Sequence, residues 1–134
     1  MANGTIKKGS LVKNTGGSGG GGGGSTKGIL FENIKEVSAG TVALDKNSSI
    51  YKVTPTANFS FDIDLTGLNI PANTAVTFYL LVDMTGGTYD ITWANSIQWG
   101  NTSPTMTAMV KYLFAFTTFD GGTSWVGNQM YSWL

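Results

Sequence analysis

Alternation of apolar and polar residues dominates the chain after residue 28. Residues 58–65 read NFSFDIDL, with four apolar side chains on one side of an extended strand and polar ones on the other. Residues 75–83 show the same period, and their apolar side consists of Val76, Phe78, Leu80 and Val82. Tyr79 and Leu81 lie on the opposite side. We therefore expect this strand to be covered on both faces, either in the centre of a sheet or at a subunit contact.

Glycine pairs and weaker alternation predict the other strands and turns. Gly86-Gly87 and Gly121-Gly122 permit the positive φ values that tight hairpins require. Further strands are predicted over residues 34–37, 41–44, 49–53, 89–93, 111–119 and 123–130. No stretch has a helical period. The pattern predicts an all-β fold, specifically an antiparallel β-sandwich of jelly-roll type.

A glycine-rich run separates this β region from the front of the chain. Residues 16–25 read GGSGGGGGGS, and such a run cannot contribute side chains to a core. Three parts are predicted: an extended N-terminal anchor (residues 1–15), a glycine-rich spacer (16–28) and a C-terminal β-sandwich domain (29–134). The run is either a flexible spacer or backbone packed against a neighbouring chain. We expect packing, with Gly20, Gly21 and Gly22 at the inter-subunit contact.

The predicted anchor has too few apolar side chains to fold alone. We expect it to become ordered on a partner protein or within an oligomer, through Ile6, Lys7, Lys8, Leu11 and Val12. The aromatic residues near position 133 give a second candidate contact. Trp133 either closes the core of its own domain or is buried against a neighbouring subunit.

The charge composition argues against nucleic acid and membrane partners. Charged residues make up 12% of the chain, eight lysines balance eight carboxylates, and arginine is absent. No positive field attracts a phosphate backbone, and no arginine is present to bind phosphates in bidentate geometry. The sequence shows no secretory signal and no apolar run of membrane-spanning length. We therefore expect synthesis in a cytoplasm.

Catalytic chemistry has few candidates because histidine and cysteine are absent. A Ser-His-Asp triad and a histidine-ligated zinc site are both excluded. Asp62 and Asp64 are the only close carboxylate pair, about 7 Å apart on one side of a strand. Three roles are open to this pair: a solvated polar face, part of a calcium site, or the two catalytic carboxylates of a glycosidase. We expect the solvated face, and hence no enzyme and no cofactor.

Four aromatic residues could instead bind a sugar. Trp93, Trp99, Trp125 and Tyr89 form either a stacking platform or part of the core. We expect Trp93 and Trp125 in the core, with Trp99 capping it from a loop. Trp99 and Asn101, beside Pro104, remain the candidate receptor loop.

The last forty residues resemble a known class of β-domain. A Trp-Gly turn at Trp99, a Pro-Thr-Met-Thr step from Pro104, an aromatic strand and the Asp-Gly-Gly-Thr-Ser-Trp hairpin from Asp120 carry the resemblance. The chain is similar in these motifs to β-domains that end many tailed-bacteriophage fibre and virion structural proteins. It departs from them at Asn101, where glycine is frequent. The resemblance implies a non-enzymatic structural or receptor-facing protein, commonly a homotrimer.

The resulting expectation is a virion protein assembled in the host cytoplasm. It would be a trimeric head fibre or capsid decoration on the particle surface, because the chain lacks the long shaft of a tail fibre. It would bind itself and, through its N-terminus, another virion protein. The first alternative is a tail-fibre tip or receptor-binding adhesin that recognises a host cell-surface glycan. The second is a small glycan-active enzyme.

Overall fold

A computed structural model of the chain describes residues 32–100 and 102–134. These residues contain no helix, and the all-β prediction is confirmed for them. Their strands are β1 (Ile34–Glu36), β2 (Thr41–Ala43), β3 (Ile50–Val53), β4 (Phe59–Asp64), β5 (Val76–Asp83), β6 (Ile91–Trp93), β7 (Ile97–Trp99), β8 (Lys111–Thr118) and β9 (Trp125–Trp133). The predicted anchor and glycine-rich spacer lie outside the described residues.

The strands form two sheets between which the chain alternates. The large sheet has the order β1-β3-β5-β8-β9-β7, and the small sheet has the order β2-β4-β6. From β1 to β7, odd-numbered strands enter the large sheet and even-numbered strands enter the small one. Neighbours such as β3 and β5 are parallel because the chain returns through the other sheet between them. This winding resembles that of a β-helix.

The prediction of antiparallel sheets was wrong for most of the described strands. Five of the seven strand pairs are parallel, and only β5–β8 and β8–β9 are antiparallel. A jelly roll is built from antiparallel strands, so this connectivity does not describe the chain. Gly86-Gly87 does not form the predicted hairpin, because the chain leaves β5 there and enters the small sheet. Alternation predicts which side of a strand is buried and does not predict the direction of its neighbour.

The faces predicted from the alternating pattern are confirmed. On β5, Phe78, Leu80 and Val82 are almost fully buried, whereas Tyr79 and Leu81 on the other side are half-buried. On β8, the inward residues Phe114 and Phe116 are fully buried. The strand β5 lies between β3 and β8 in the large sheet, which is the central position, one of the two alternatives predicted from its apolar faces.

Aromatic rings fill the space between the two sheets. Phe61 of the small sheet stacks on Phe116 of the large sheet, with ring centroids 5.4 Å apart. Trp93 of the small sheet meets Phe114 edge to face at 5.4 Å. Trp125 packs edge to face on Phe78 at 5.4 Å and is 1% exposed. Such pairs contribute more stabilisation than the burial of their surface area alone accounts for.

Close packing of these rings requires glycine at position 127. A Cβ atom there would lie 2.9 Å from Cζ3 of Trp99 and 3.1 Å from Cε1 of Phe116. Glycine inside a strand often marks such a close approach. The backbone of β9 thus forms part of the wall against which the Trp99 ring packs.

The turn between β8 and β9 is the predicted hairpin, and Asp120 organises it. Gly121 and Gly122 have φ values of 73° and 93°, which glycine adopts without strain. The Asp120 carboxylate accepts hydrogen bonds from Ser124 Oγ at 2.6 Å, Ser124 N at 3.0 Å and Thr118 Oγ1 at 2.8 Å. These bonds, led by the one from the Ser124 hydroxyl, lower the pKa of Asp120 to about 2.

Truncating the ring that joins the two sheets should destabilise the protein strongly. Phe61 is 1% exposed, so Phe61→Ala leaves a cavity and should lower the free energy of unfolding by about 3–5 kcal/mol. Phe119→Ala is the matched control, because Phe119 is 70% exposed. Urea unfolding curves of both variants check this. A similar midpoint for the two variants would contradict the inter-sheet role of Phe61.

The Asp120 turn should make stability depend on acidic pH. Its pKa in the folded chain, about 2, lies below the ordinary value of 3.8. The stabilisation is therefore fully present above pH 3.8 and is lost as the pH falls towards 2. We expect Ser124→Ala and Asp120→Asn each to reduce the acid-dependent fall in melting temperature. Thermal melts between pH 2 and pH 6 measure it, and an unchanged profile in both variants would exclude this contribution.

Candidate functional site

The outer face of the large sheet is the side turned away from the small sheet. Cross-strand partners share a face, so the strand register assigns its members. One row runs through Leu81, Leu113 and Tyr131, and the next through Asp83, Lys111 and Trp133. A third row begins with Tyr79 and Ala115. We refer to Tyr79, Leu81, Leu113, Tyr131 and Trp133 as the outer apolar patch.

The outer apolar patch combines half-buried aliphatic residues with exposed aromatic ones. Leu81 and Leu113 are half-buried at its centre, whereas Tyr131 is 66% exposed and Trp133 is 43% exposed. Contiguous apolar surface of this kind marks interaction sites more often than scattered single residues do. Tyrosine and tryptophan are also the residue types that contribute most to binding at protein interfaces.

The charges on this face are paired within it. Lys52 Nζ lies 3.4 Å from the Glu36 carboxylate, and Lys111 Nζ lies 3.9 Å from that of Asp83. Burial opposes ionisation of Asp83, but hydrogen bonds from Thr85 and the charge of Lys111 outweigh it and keep the Asp83 pKa below its ordinary value. Asp83 is thus ionised near neutral pH, beside Lys111. The face can therefore approach an identical face without net repulsion between charges.

Three residues expected at a subunit contact lie together on this face. Tyr79 and Leu81 come from the centre of the sheet, and Trp133 comes from β9, two strands away. Leu113 and Tyr131 complete the patch; Tyr131 belongs to the aromatic end of the chain that was a candidate contact, whereas Leu113 was not among the predicted contact residues. The register of β9 against β8 is the information that joins them, and no local sequence pattern contains it.

The other predicted contact residues lie outside the described part of the chain. These are the anchor residues Ile6, Lys7, Lys8, Leu11 and Val12, the glycines Gly20, Gly21 and Gly22, and Asn101 of the candidate receptor loop.

Trp99 belongs to strand β7 and not to a loop. Its ring lies 5.0 Å from Trp93 and 5.7 Å from Phe116, measured between centroids, so those neighbours cover much of the surface that a sugar would need. Of the two alternatives, sugar binding and packing in the core, the position of Trp99 corresponds to packing, because its ring closes the edge of the core. Its buried indole N–H has no hydrogen-bond partner among the described residues.

A cavity of about 170 Å³ lies beside Trp99. It separates the residues that follow β7 from strand β9, and its lining includes Thr102, Pro104, Asn128 and Gln129. An indole ring, a hydroxyl group and two carboxamides are suited to a small polar ligand such as a sugar.

The carboxylate pair on β4 bonds to nearby backbone. Asp62 Oδ1 accepts a hydrogen bond from Ile63 N at 2.8 Å, and Asp64 Oδ1 accepts one from Thr66 N at 2.9 Å. The bond from Thr66 lowers the pKa of Asp64, which makes it a weaker general base. Within residues 32–100 and 102–134, no group of three or more histidine, cysteine, aspartate or glutamate side chains is placed to hold a metal ion. No helix able to cross a membrane occurs in the same residues.

Comparison with known proteins found no matching family model, no matching curated protein and no matching solved structure.

Proposed function

We propose that this chain is a non-enzymatic structural protein of a bacteriophage virion, displayed on the particle surface as a homotrimeric head fibre or capsid decoration. The outer apolar patch is the observation that supports assembly. It presents tyrosine, tryptophan and leucine on a face whose charges are paired internally. The proposal of a virion rests on the resemblance of the last forty residues to phage fibre domains.

In the proposed trimer, the outer faces of the three large sheets meet around the three-fold axis. Tyr79, Leu81 and Trp133 then exclude water at the centre, where aromatic anchors contribute most to binding. Three-fold closure suits a fibre axis and leaves no open-ended contact on this face. Residues 1–15 attach the trimer to another virion protein, and residues 16–28 connect the anchor to the β domain.

A receptor-binding adhesin is the second candidate, and the cavity beside Trp99 is the observation that favours it. Its lining includes Asn128 and Gln129, whose carboxamides can donate and accept hydrogen bonds to sugar hydroxyls. In this function the β domain would bind a host cell-surface glycan and the same trimer would present three such cavities. Neither candidate function involves nucleic acid or a membrane as a partner.

A charged residue within the outer apolar patch should dissociate the trimer. Leu81→Lys places an unpaired charge at the centre of the proposed contact, which is costly to desolvate. We expect wild-type chain to be a trimer at micromolar concentration by light scattering, and the variant to be a folded monomer whose melting temperature is lower, because the trimer no longer stabilises the folded state. Ser60→Lys is the matched control, because Ser60 is exposed on β4 of the small sheet, and it should remain trimeric. A monomeric wild type would overturn the trimer.

Removal of residues 1–15 should abolish incorporation into phage particles and leave the β domain folded. Incorporation is measured by labelling the chain and imaging purified particles, which also locates it on head or tail. Unchanged incorporation would contradict the proposal that residues 1–15 attach the chain to the particle.

An array of host-surface glycans separates the two candidates. Glycan binding by wild type that falls at least tenfold in Gln129→Ala supports the adhesin, whereas incorporation on the head without glycan binding supports the decoration.

A further inference from the structure

A cavity of about 260 Å³, separate from the one beside Trp99, lies at one end of the β domain. The β2–β3 and β4–β5 connections form its sides, and the first residues of β3 and β5 form its floor. It is larger than the apolar cavity of about 150 Å³ that holds one benzene molecule in another protein. Its apolar lining includes Leu44, Tyr51, Leu68, Ile70, Val76 and Phe78.

The floor of this cavity is apolar. Tyr51 is fully buried there and meets Phe78 edge to face, with ring centroids 5.7 Å apart. The Tyr51 hydroxyl accepts a hydrogen bond from Asp45 N at 2.9 Å and donates one to Ser48 O at 3.1 Å, so it is used to hold the β2–β3 connection. A polar group placed on this floor would lose its hydrogen bonds to water. The inner part of a ligand must therefore be apolar.

Among the charged side chains that line the cavity, only Lys46 is unpaired. Asp45 also lines it, but its carboxylate lies 2.5 Å from Lys35 Nζ, and the hydrogen bond from Lys35 lowers the Asp45 pKa. The charges of this pair cancel. Lys46 is exposed and forms no ion pair within the described part of the chain, and residues 1–31 contain no aspartate or glutamate. The rim of the cavity therefore favours an anionic group.

We propose that this cavity binds a small amphipathic carboxylate. The alkyl or aryl part of the ligand lies against Tyr51 and Phe78, and its carboxylate faces Lys46. Asn69 also lines the cavity and is exposed, and its carboxamide can donate a second hydrogen bond to the carboxylate. Glu32 accepts a hydrogen bond from Ser49 at the cavity but is not itself part of the lining.

This inference goes beyond the proposed function and does not depend on it. The cavity is formed by side chains at the end of the domain, whereas the trimer uses the outer apolar patch and the adhesin uses the cavity beside Trp99. A failure to bind a carboxylate here would leave the proposed trimer and the proposed glycan site unchanged. A monomeric wild type would likewise leave this cavity unchanged.

Three ligands test the two halves of the site. Octanoate, butyrate and octanol are each titrated into the full-length chain by calorimetry. We expect saturable binding of octanoate. Butyrate should bind at least tenfold more weakly, because its shorter chain leaves most of the apolar lining uncovered. Octanol should bind at least threefold more weakly, which is the size expected of an exposed ion pair. No saturable octanoate binding, or equal binding of octanoate and octanol, would overturn the proposal.

Substitutions in the lining separate the roles of charge and space. Lys46→Gln should weaken octanoate at least threefold and leave octanol unchanged. Leu68→Trp places a ring in the cavity and should weaken octanoate at least tenfold. Thr92→Trp is the matched control, because it adds the same ring at an exposed position on β6, and it should bind octanoate as wild type does. Unchanged octanoate affinity in Lys46→Gln would contradict the assigned position of the carboxylate.

Methyl NMR of the wild-type chain locates the ligand whether or not Leu68→Trp folds. Octanoate should shift the methyl signals of Leu44, Ile70 and Val76 and leave those of Leu81 and Leu113 in place. Shifts confined to Leu81 and Leu113 would mean that octanoate binds the outer apolar patch, and that result would overturn the assignment of this cavity.

Discussion

Contact between aromatic rings of the two sheets is the interaction on which the rest of the described structure depends. Phe61 reaches from the small sheet to stack on Phe116 of the large one, and Trp93 meets Phe114 in the same layer. These rings occupy the space between the sheets, so each strand must direct every second side chain inward. The alternate side chains are then left for solvent or for a partner. The side chains of the outer face do not pack between the sheets, so core packing does not determine which residues occur there.

The winding of the chain decides which strands become neighbours. Alternation between two sheets pairs β1, β3 and β5 in parallel, and one more turn of this winding would place β7 beside β5. The β8–β9 hairpin occupies that position instead. Its insertion moves β7 to the end of the sheet, where three residues cannot cover a nine-residue strand. The strand β7 therefore pairs only with Trp125, Val126 and Gly127 of β9.

These features direct attention to assembly. The carboxylates of the described chain are used in turns and ion pairs, as Asp120 and Asp83 illustrate. The exposed aromatic residues Tyr131 and Trp133 lie on the outer face, near the end of β9. A contact with further copies can therefore form on this face. Assembly through this face is the part of the proposed function that the outer apolar patch supports.

The sequence by itself determined eight of the nine strands, their buried faces and the β8–β9 turn, because alternation and glycine chemistry are local properties. It correctly placed Phe78 and Phe114 inside and Tyr79 and Leu81 outside. Strand β7 was missed because its three residues, Ile97, Gln98 and Trp99, are too few to show a period. Only the tertiary structure decided the parallel pairing, the placement of Trp99 on a strand at the edge of the core and the union of Leu113 with Tyr131. Those features depend on which distant strands become neighbours, and a period of two carries no information about the direction or identity of a partner.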